Sequence, residues 1–175
     1  MAGAEFLDGD ALNAMQPTAF STAVAPLFEG APRFLARLAE ARPFDSDDEM
    51  MRVARDTVLT MSEEEQVELL NAHPRIGADP ETVSPLSHAE QGYDDAAPEG
   101  EAWVAVELEM LNELYESRFG FRFVIFVAGR QRRDILPILE RALHVERDEE
   151  LRRGLDDVIA IAADRLRGLR GTGTP

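Results

Sequence analysis

The chain contains no cysteine and no lysine, and these two gaps narrow its chemistry before any pattern is read. Without a thiol there is no disulfide framework, no thiolate nucleophile and no cysteine-based metal site. Without a lysine ammonium there is no Schiff-base nucleophile, no covalently held pyridoxal phosphate and no P-loop lysine. All 18 basic residues are arginines, whose planar fork stays charged and matches a carboxylate. Positive charge is itself scarce, because 34 acidic residues bring the formal net charge to -16. A field of that sign repels nucleic acid and anionic membrane surfaces, which excludes both as natural partners. No apolar run approaches membrane-spanning length, and the N-terminus lacks the basic-then-apolar layout of a signal peptide. A cytoplasmic location is the expectation. An enzyme built from this set works with His, Asp, Glu, hydroxyls, amides and Arg.

What is present suits one globular domain over residues 1–175, since 175 residues at 45% hydrophobic content can bury a sizeable core. Residues 1–5 and the tail 171–175 read as flexible. Apolar residues at spacings of three and four, bounded by Pro, Asp or Ser, predict helices near 17–28, 32–41, 47–60 and 62–72. Ser62 and Glu65 have the spacing of a capping box, as do Ser87 and Glu90, where a short helix is expected to start. Residues 74–86 hold three prolines and a glycine and read as loop, as does the acidic stretch 92–101. A long helix is expected from Pro98 to near Gly120, with Val104, Leu108, Leu111 and Tyr115 on one stripe. Further helices are predicted near 131–143 and 147–170. Between them "FRFVIFV" is extended in character, but a lone strand has no partner, so 121–127 reads as a buried connector with backbone amides to spare. The fold class expected is all-α, a compact single-domain bundle of about eight short helices with that one extended connector.

The candidates for chemistry begin with the three histidines. In "NAHPRIGADP", His73 precedes a proline, which disfavours helix at the residue before it, so its imidazole stands at a helix end beside irregular chain. A cap, a filler under a loop and a catalytic acid or base all fit that position. His88 and Glu90 lack any standard zinc spacing and a third ligand, and His144 reads as an ordinary residue near a helix C-terminus. On the last helix, Leu151, Leu155, Val158, Ala162 and Leu169 form an apolar stripe interrupted by Arg165. A guanidinium there is costly to bury without a partner, so it reads as snorkelling outward or pairing with a nearby Asp or Glu.

Taken together, "HPRIG", "LSHAEQ", "LNELYESRFGFRFVIFV" and "IAADRL" resemble, in order and rough spacing, the 2-oxo-4-hydroxy-4-carboxy-5-ureidoimidazoline (OHCU) decarboxylases, and the likeness runs from "LFEGAPRFLARLAEARPF" to "IAADRLRGL". The resemblance implies an all-helical enzyme that completes urate breakdown to (S)-allantoin without metal or organic cofactor. It implies that His73, followed by Pro74, is the catalytic histidine and that Glu90 is the active-site glutamate. Ser87, His88, Ala89 and Gln91 would line the substrate, the backbone of Phe123, Val124, Ile125, Phe126 and Val127 would lie along it, and Arg165 would grip the anion. Dimers among the relatives point to a homodimer. The sequence departs from the family pattern at Arg75 and Ile76 after the HP pair, at Arg122 where FGF is usually followed by proline, and in "GYDDAAPEGEA" after EQ. The two arginines are read either as altering which anion fits or as salt-bridge partners. Rival readings are a decarboxylase or hydrolase for another small ureido or imidazole acid, and a non-catalytic helical module presenting an apolar groove.

Overall fold

The computed structural model describes residues 8–93 and 102–171. Every described regular element is helical: α1 (Gly9–Ala14), α2 (Pro17–Phe28), α3 (Pro32–Glu40), α4 (Asp47–Thr60), α5 (Glu63–Ala72), α6 (Pro85–Glu90), α7 (Ala102–Phe119), α8 (Arg132–Ala142) and α9 (Arg147–Gly171), with one 3-10 turn at Pro80–Thr82. No helix among the described residues is long and apolar enough to cross a membrane. Residues 121–127 are neither helix nor strand, as the extended-connector reading expected. The ends expected to be flexible, the loop expected over 92–101 and the expected start of the long helix at Pro98 fall wholly or partly outside the described residues.

The chain divides into two compact units, one of residues 1–69 and 159–175 and one of residues 70–158. In the first, prolines set the starts: Pro17 and Pro32 occupy the opening turns of α2 and α3, where a missing N–H costs nothing. Ser46 caps α4 by accepting the Glu49 N–H, and the Ser62–Glu65 capping box forms in both directions. Phe20, Val24, Leu27, Phe28, Phe34, Leu38, Ala54 and Val58 build its core, with the Phe28 and Phe34 rings edge to face at 4.7 Å. The sequence reading gave no helix to 9–14. It is one and a half turns with a single buried side chain, Leu12, held by the Asp8 cap and by Arg42, which donates to the Leu12 and Met15 carbonyls.

In the second unit the expected stripe of α7 is buried, Val104, Leu108, Leu111 and Tyr115 all facing inward. Tyr115 leads an aromatic cluster with Phe119, Phe121 and Phe123 at ring separations of 4.5, 5.9 and 5.2 Å. That cluster anchors the connector by burial rather than by strand pairing. The same helix carries a second apolar stripe, Trp103, Val106, Met110 and Leu114, which is exposed. Spacings of three, four and four put those four on one face, well round from the buried one.

Candidate functional site

His73 stands where α5 runs out. Pro74 cannot continue the helix, and the His73 N–H closes the last turn on the Leu70 carbonyl at 3.1 Å. Its side chain is buried, with only 3% of the residue exposed, so the imidazole is not a surface cap. The following loop is fixed at each step. Ile76 is buried, and the Ile76 carbonyl accepts from Asn112 of α7 at 3.0 Å. Gly77 adopts φ +80, and a Cβ there would come within 2.9 Å of Leu108, so both conformation and space demand glycine.

The decisive contact comes from Gln91. Its Oε1 accepts the Gly77 N–H at 2.7 Å, and its Nε2 donates to the Arg75 carbonyl at 3.3 Å. The "HPRIG" and "SHAEQ" motifs therefore meet through one side-chain amide. Tyr93 reinforces the seam, its hydroxyl donating to the Ala78 carbonyl while its ring lies 5.3 Å from that of His88. Gln91 was expected as a substrate contact alone, and sequence reasoning missed this clamp.

Helix α6 starts three residues earlier than the sequence reading placed it. Ser84 is the cap, accepting the Ser87 N–H, and Pro85 takes the first turn. Ser87 lies inside the helix and is buried, Glu90 and His88 are half-buried, and Ala89 is exposed. Ser87 and Glu90, three apart, share a face of this turn. Among the described residues no group of three or more His, Asp or Glu is arranged to hold a metal ion.

The connector is buried at Phe123, Val124, Ile125 and Val127, and half-buried at Phe126. Its carbonyls are largely committed to the protein. Arg153 donates to the Val124 carbonyl at 2.9 Å and lies over the Phe123 ring at 4.8 Å. Arg130 donates to the carbonyls of Phe126 and Val127 at 2.5 and 2.9 Å. Arg153 is held in turn by Glu150 and by Asp157, whose carboxyl burial pushes above its usual range. Neither Arg130 nor Arg153 was singled out from the sequence, where both are charges with no pattern around them.

The two arginines that depart from the family pattern are both occupied. Arg75 makes a two-pronged ion pair with Glu116, at 2.8 and 2.6 Å, which is the salt-bridge reading. Arg122 donates instead to backbone at the end of α5, and no ion pair joins it to a carboxylate among the described residues. Arg165 belongs to the unit of residues 1–69 and 159–175. It is buried, with Nη2 2.9 Å from the Glu29 carboxylate and Nη1 donating to the Pro26 carbonyl at 2.8 Å. Glu29 reaches it from a left-handed conformation at φ 55, unusual for a residue with a side chain. Pairing with an acid, one of the options open from sequence, is thus observed. A hollow of about 440 Å³ lies between loop 75–79 and α7, reaching Asn112, but His73, Ser87 and Glu90 do not line it.

Comparison with known proteins adds an independent line. The sequence model described as OHCU decarboxylase matches residues 13–167. A 2-oxo-4-hydroxy-4-carboxy-5-ureidoimidazoline decarboxylase of Haloferax volcanii is 34% identical over 155 residues, covering 89% of this chain and 91% of that protein. The uric acid degradation bifunctional protein PucL of Bacillus subtilis is 33% identical over 157 residues, 90% of this chain, which spans only 31% of that protein's length. A crystal structure of OHCU decarboxylase in the presence of (S)-allantoin superimposes with a TM-score of 0.67 at 23% identity, over 84% of this chain and 96% of that one.

Proposed function

Because the chain belongs to the OHCU decarboxylase family, we propose that it converts OHCU to (S)-allantoin, with His73 as proton donor and Glu90 as its partner. The Gln91 clamp carries this reading. It fixes the loop that follows His73 to the segment bearing Ser87 and Glu90, in a unit that also contains the connector.

The substrate needs little from the protein to lose carbon dioxide. Its carboxylate sits on a carbon that also bears a hydroxyl, next to a ring C=N bond. When the carbon–carboxylate bond breaks, its electron pair moves toward that C=N system, giving an enol stabilised without an external electron sink. The ring nitrogen takes up one proton while the enol gives up its hydroxyl proton to become a carbonyl, and the neighbouring ureido-bearing carbon takes one more from the protein, so the face that is protonated sets the hand of the product. The protein's tasks are to hold the anion, align the breaking bond with the π system, and deliver that proton from one side.

His73 performs the delivery. After transfer the neutral ring is recharged from solvent, so the cycle balances. Glu90 orients the ring or the substrate hydroxyl, Ser87 meets the imidazoline, Gln91 holds the loop that follows His73, and backbone N–H groups of residues 123–127 lie along the ring's edge. Arg165, which the resemblance assigns to the carboxylate, is held by Glu29 within its own unit. The homodimer belongs to the same proposal, with the exposed stripe of α7 as its apolar surface. A monomer by sedimentation equilibrium would remove that part.

Purified protein added to freshly generated OHCU, followed by circular dichroism, tests the activity. The expected result is (S)-allantoin forming faster than the spontaneous reaction and as a single enantiomer. Decay at the spontaneous rate with a racemic product would overturn the proposal and favour another small ureido acid as substrate.

A further inference from the structure

Arg122 opens the connector, immediately after Phe121, and its side chain turns back onto α5. Nη1 donates to the carbonyls of Asn71 and His73, at 2.9 and 2.8 Å. The Arg122 backbone N–H donates to the Asn71 side-chain oxygen at 2.9 Å. Three bonds thus join the end of α5 to the start of the connector, across 51 residues of sequence.

The last carbonyls of a helix have no donor within the helix, and a cation there also meets the negative end of the dipole. That alone would make Arg122 a C-terminal cap of ordinary worth. Yet this end of the helix is half-open: Asn71 is exposed and Arg122 only half-buried. Water reaches the Asn71 carbonyl directly if the guanidinium is removed, and the space the side chain leaves admits water to the part-buried bond site at the His73 carbonyl, at modest cost to the fold. Water cannot keep the peptide of His73 at a fixed distance from residues 122–127.

We propose that Arg122 is a positioning residue for His73. It holds the backbone of the proton donor in register with the segment that lies along the substrate. The inference rests on the assignment of His73 as proton donor. Proton transfer needs donor and carbon within hydrogen-bond reach and aligned, and a displacement of about 1 Å costs on the order of 10²-fold in rate. Substrate affinity is buffered from the loss, because Arg153 and Arg130 independently hold the Val124, Phe126 and Val127 carbonyls. The effect therefore falls on kcat and spares KM.

Arg122→Ala is the direct test, measured on the full chain with OHCU. Expected are a kcat lower by about 10- to 100-fold, a KM within about 2-fold, and a melting temperature within a few degrees of the parent. Arg122→Lys, which keeps a donor but not the fork, should recover part of the kcat. Asn71→Ala should lower kcat in the same direction, and the double variant should fall short of the product of the two single effects. An unchanged kcat in Arg122→Ala, or a loss matched by a fall in folded protein, would overturn the positioning role. So would Asn71→Ala and Arg122→Lys that both behave as the parent. Activity retained in His73→Asn removes the underlying assignment; an inactive His73→Asn beside a fully active Arg122→Ala removes the positioning role alone.

Discussion

His73→Asn should lower decarboxylation by about 10²- to 10⁴-fold, the usual worth of a positioned general acid, while the helical circular dichroism spectrum stays as in the parent. Asparagine keeps a polar group of similar reach at the end of α5 but cannot hold a transferable proton near neutral pH. The loss should appear in kcat more than in KM, because the missing interaction exists only while the proton moves. Any residual product should lose its optical purity, since protonation would then come from solvent on either face. A variant with parental kcat would show that the proton comes from elsewhere, whatever the burial of His73.

The largest expected effect on stability lies in the unit of residues 70–158. Glu150 is buried, accepts the Tyr115 hydroxyl at 2.7 Å and pairs with Arg153 at 2.9 Å. Glu150→Ala strips both partners at once, and breaking a buried pair on one side costs about 3–5 kcal/mol. The lower end is expected here, because Arg153 keeps Asp157 at 2.8 Å. Chemical denaturation with an unchanged m-value would measure it. The same cluster gives the fold an alkaline limit. Burial, and then the bond to Glu150, push the Tyr115 hydroxyl well above its ordinary value of 10.0. A group whose pKa is raised on folding contributes stability that is complete below its unfolded value. Stability should therefore fall as pH rises past about 10 and continue to fall as Tyr115 titrates in the folded chain. A stability curve flat through that range would contradict the burial of Tyr115. Because Arg153 also carries the Val124 carbonyl, Glu150→Ala should weaken substrate binding along the connector as well.

The helices were legible because their ends are marked chemically. Pro17, Pro32 and Ser46 announce starts, Pro74 and Gly120 announce stops, and the buried stripe of α7 repeats at helical spacing. The connector was legible for the opposite reason: seven apolar-rich residues with no second strand to pair with. Ser87 was read as the cap of α6; the cap is Ser84, which Pro85 at the first helical position marks. Helix α1 was illegible because one buried leucine makes no period.

The site was legible in its motifs and not in its joints. The burial of His73 follows from where α5 stops. The partners of Arg122, Arg75 and Arg165 lie 51, 41 and more than 130 residues away, and no local pattern reports contacts of that span. Gln91 shows the limit most clearly. Its amide was read as facing a ligand, yet both ends of it hold the backbone of residues 75–77. Composition, by contrast, carried far: with no lysine, the long cationic side chains of this unit are all arginines, and their forks serve carbonyls as well as carboxylates.

With only three histidines in the chain, nitrogen-15 correlation spectra of the imidazole rings can follow each one while (S)-allantoin is titrated in, with His→Asn variants supplying the assignments. Catalysis at His73 predicts that its ring resonances shift with saturable dependence on allantoin, and that those of His144, beyond the end of α8, do not. A His73 ring that stays unmoved at every concentration reached, or a response confined to His144, would contradict the account.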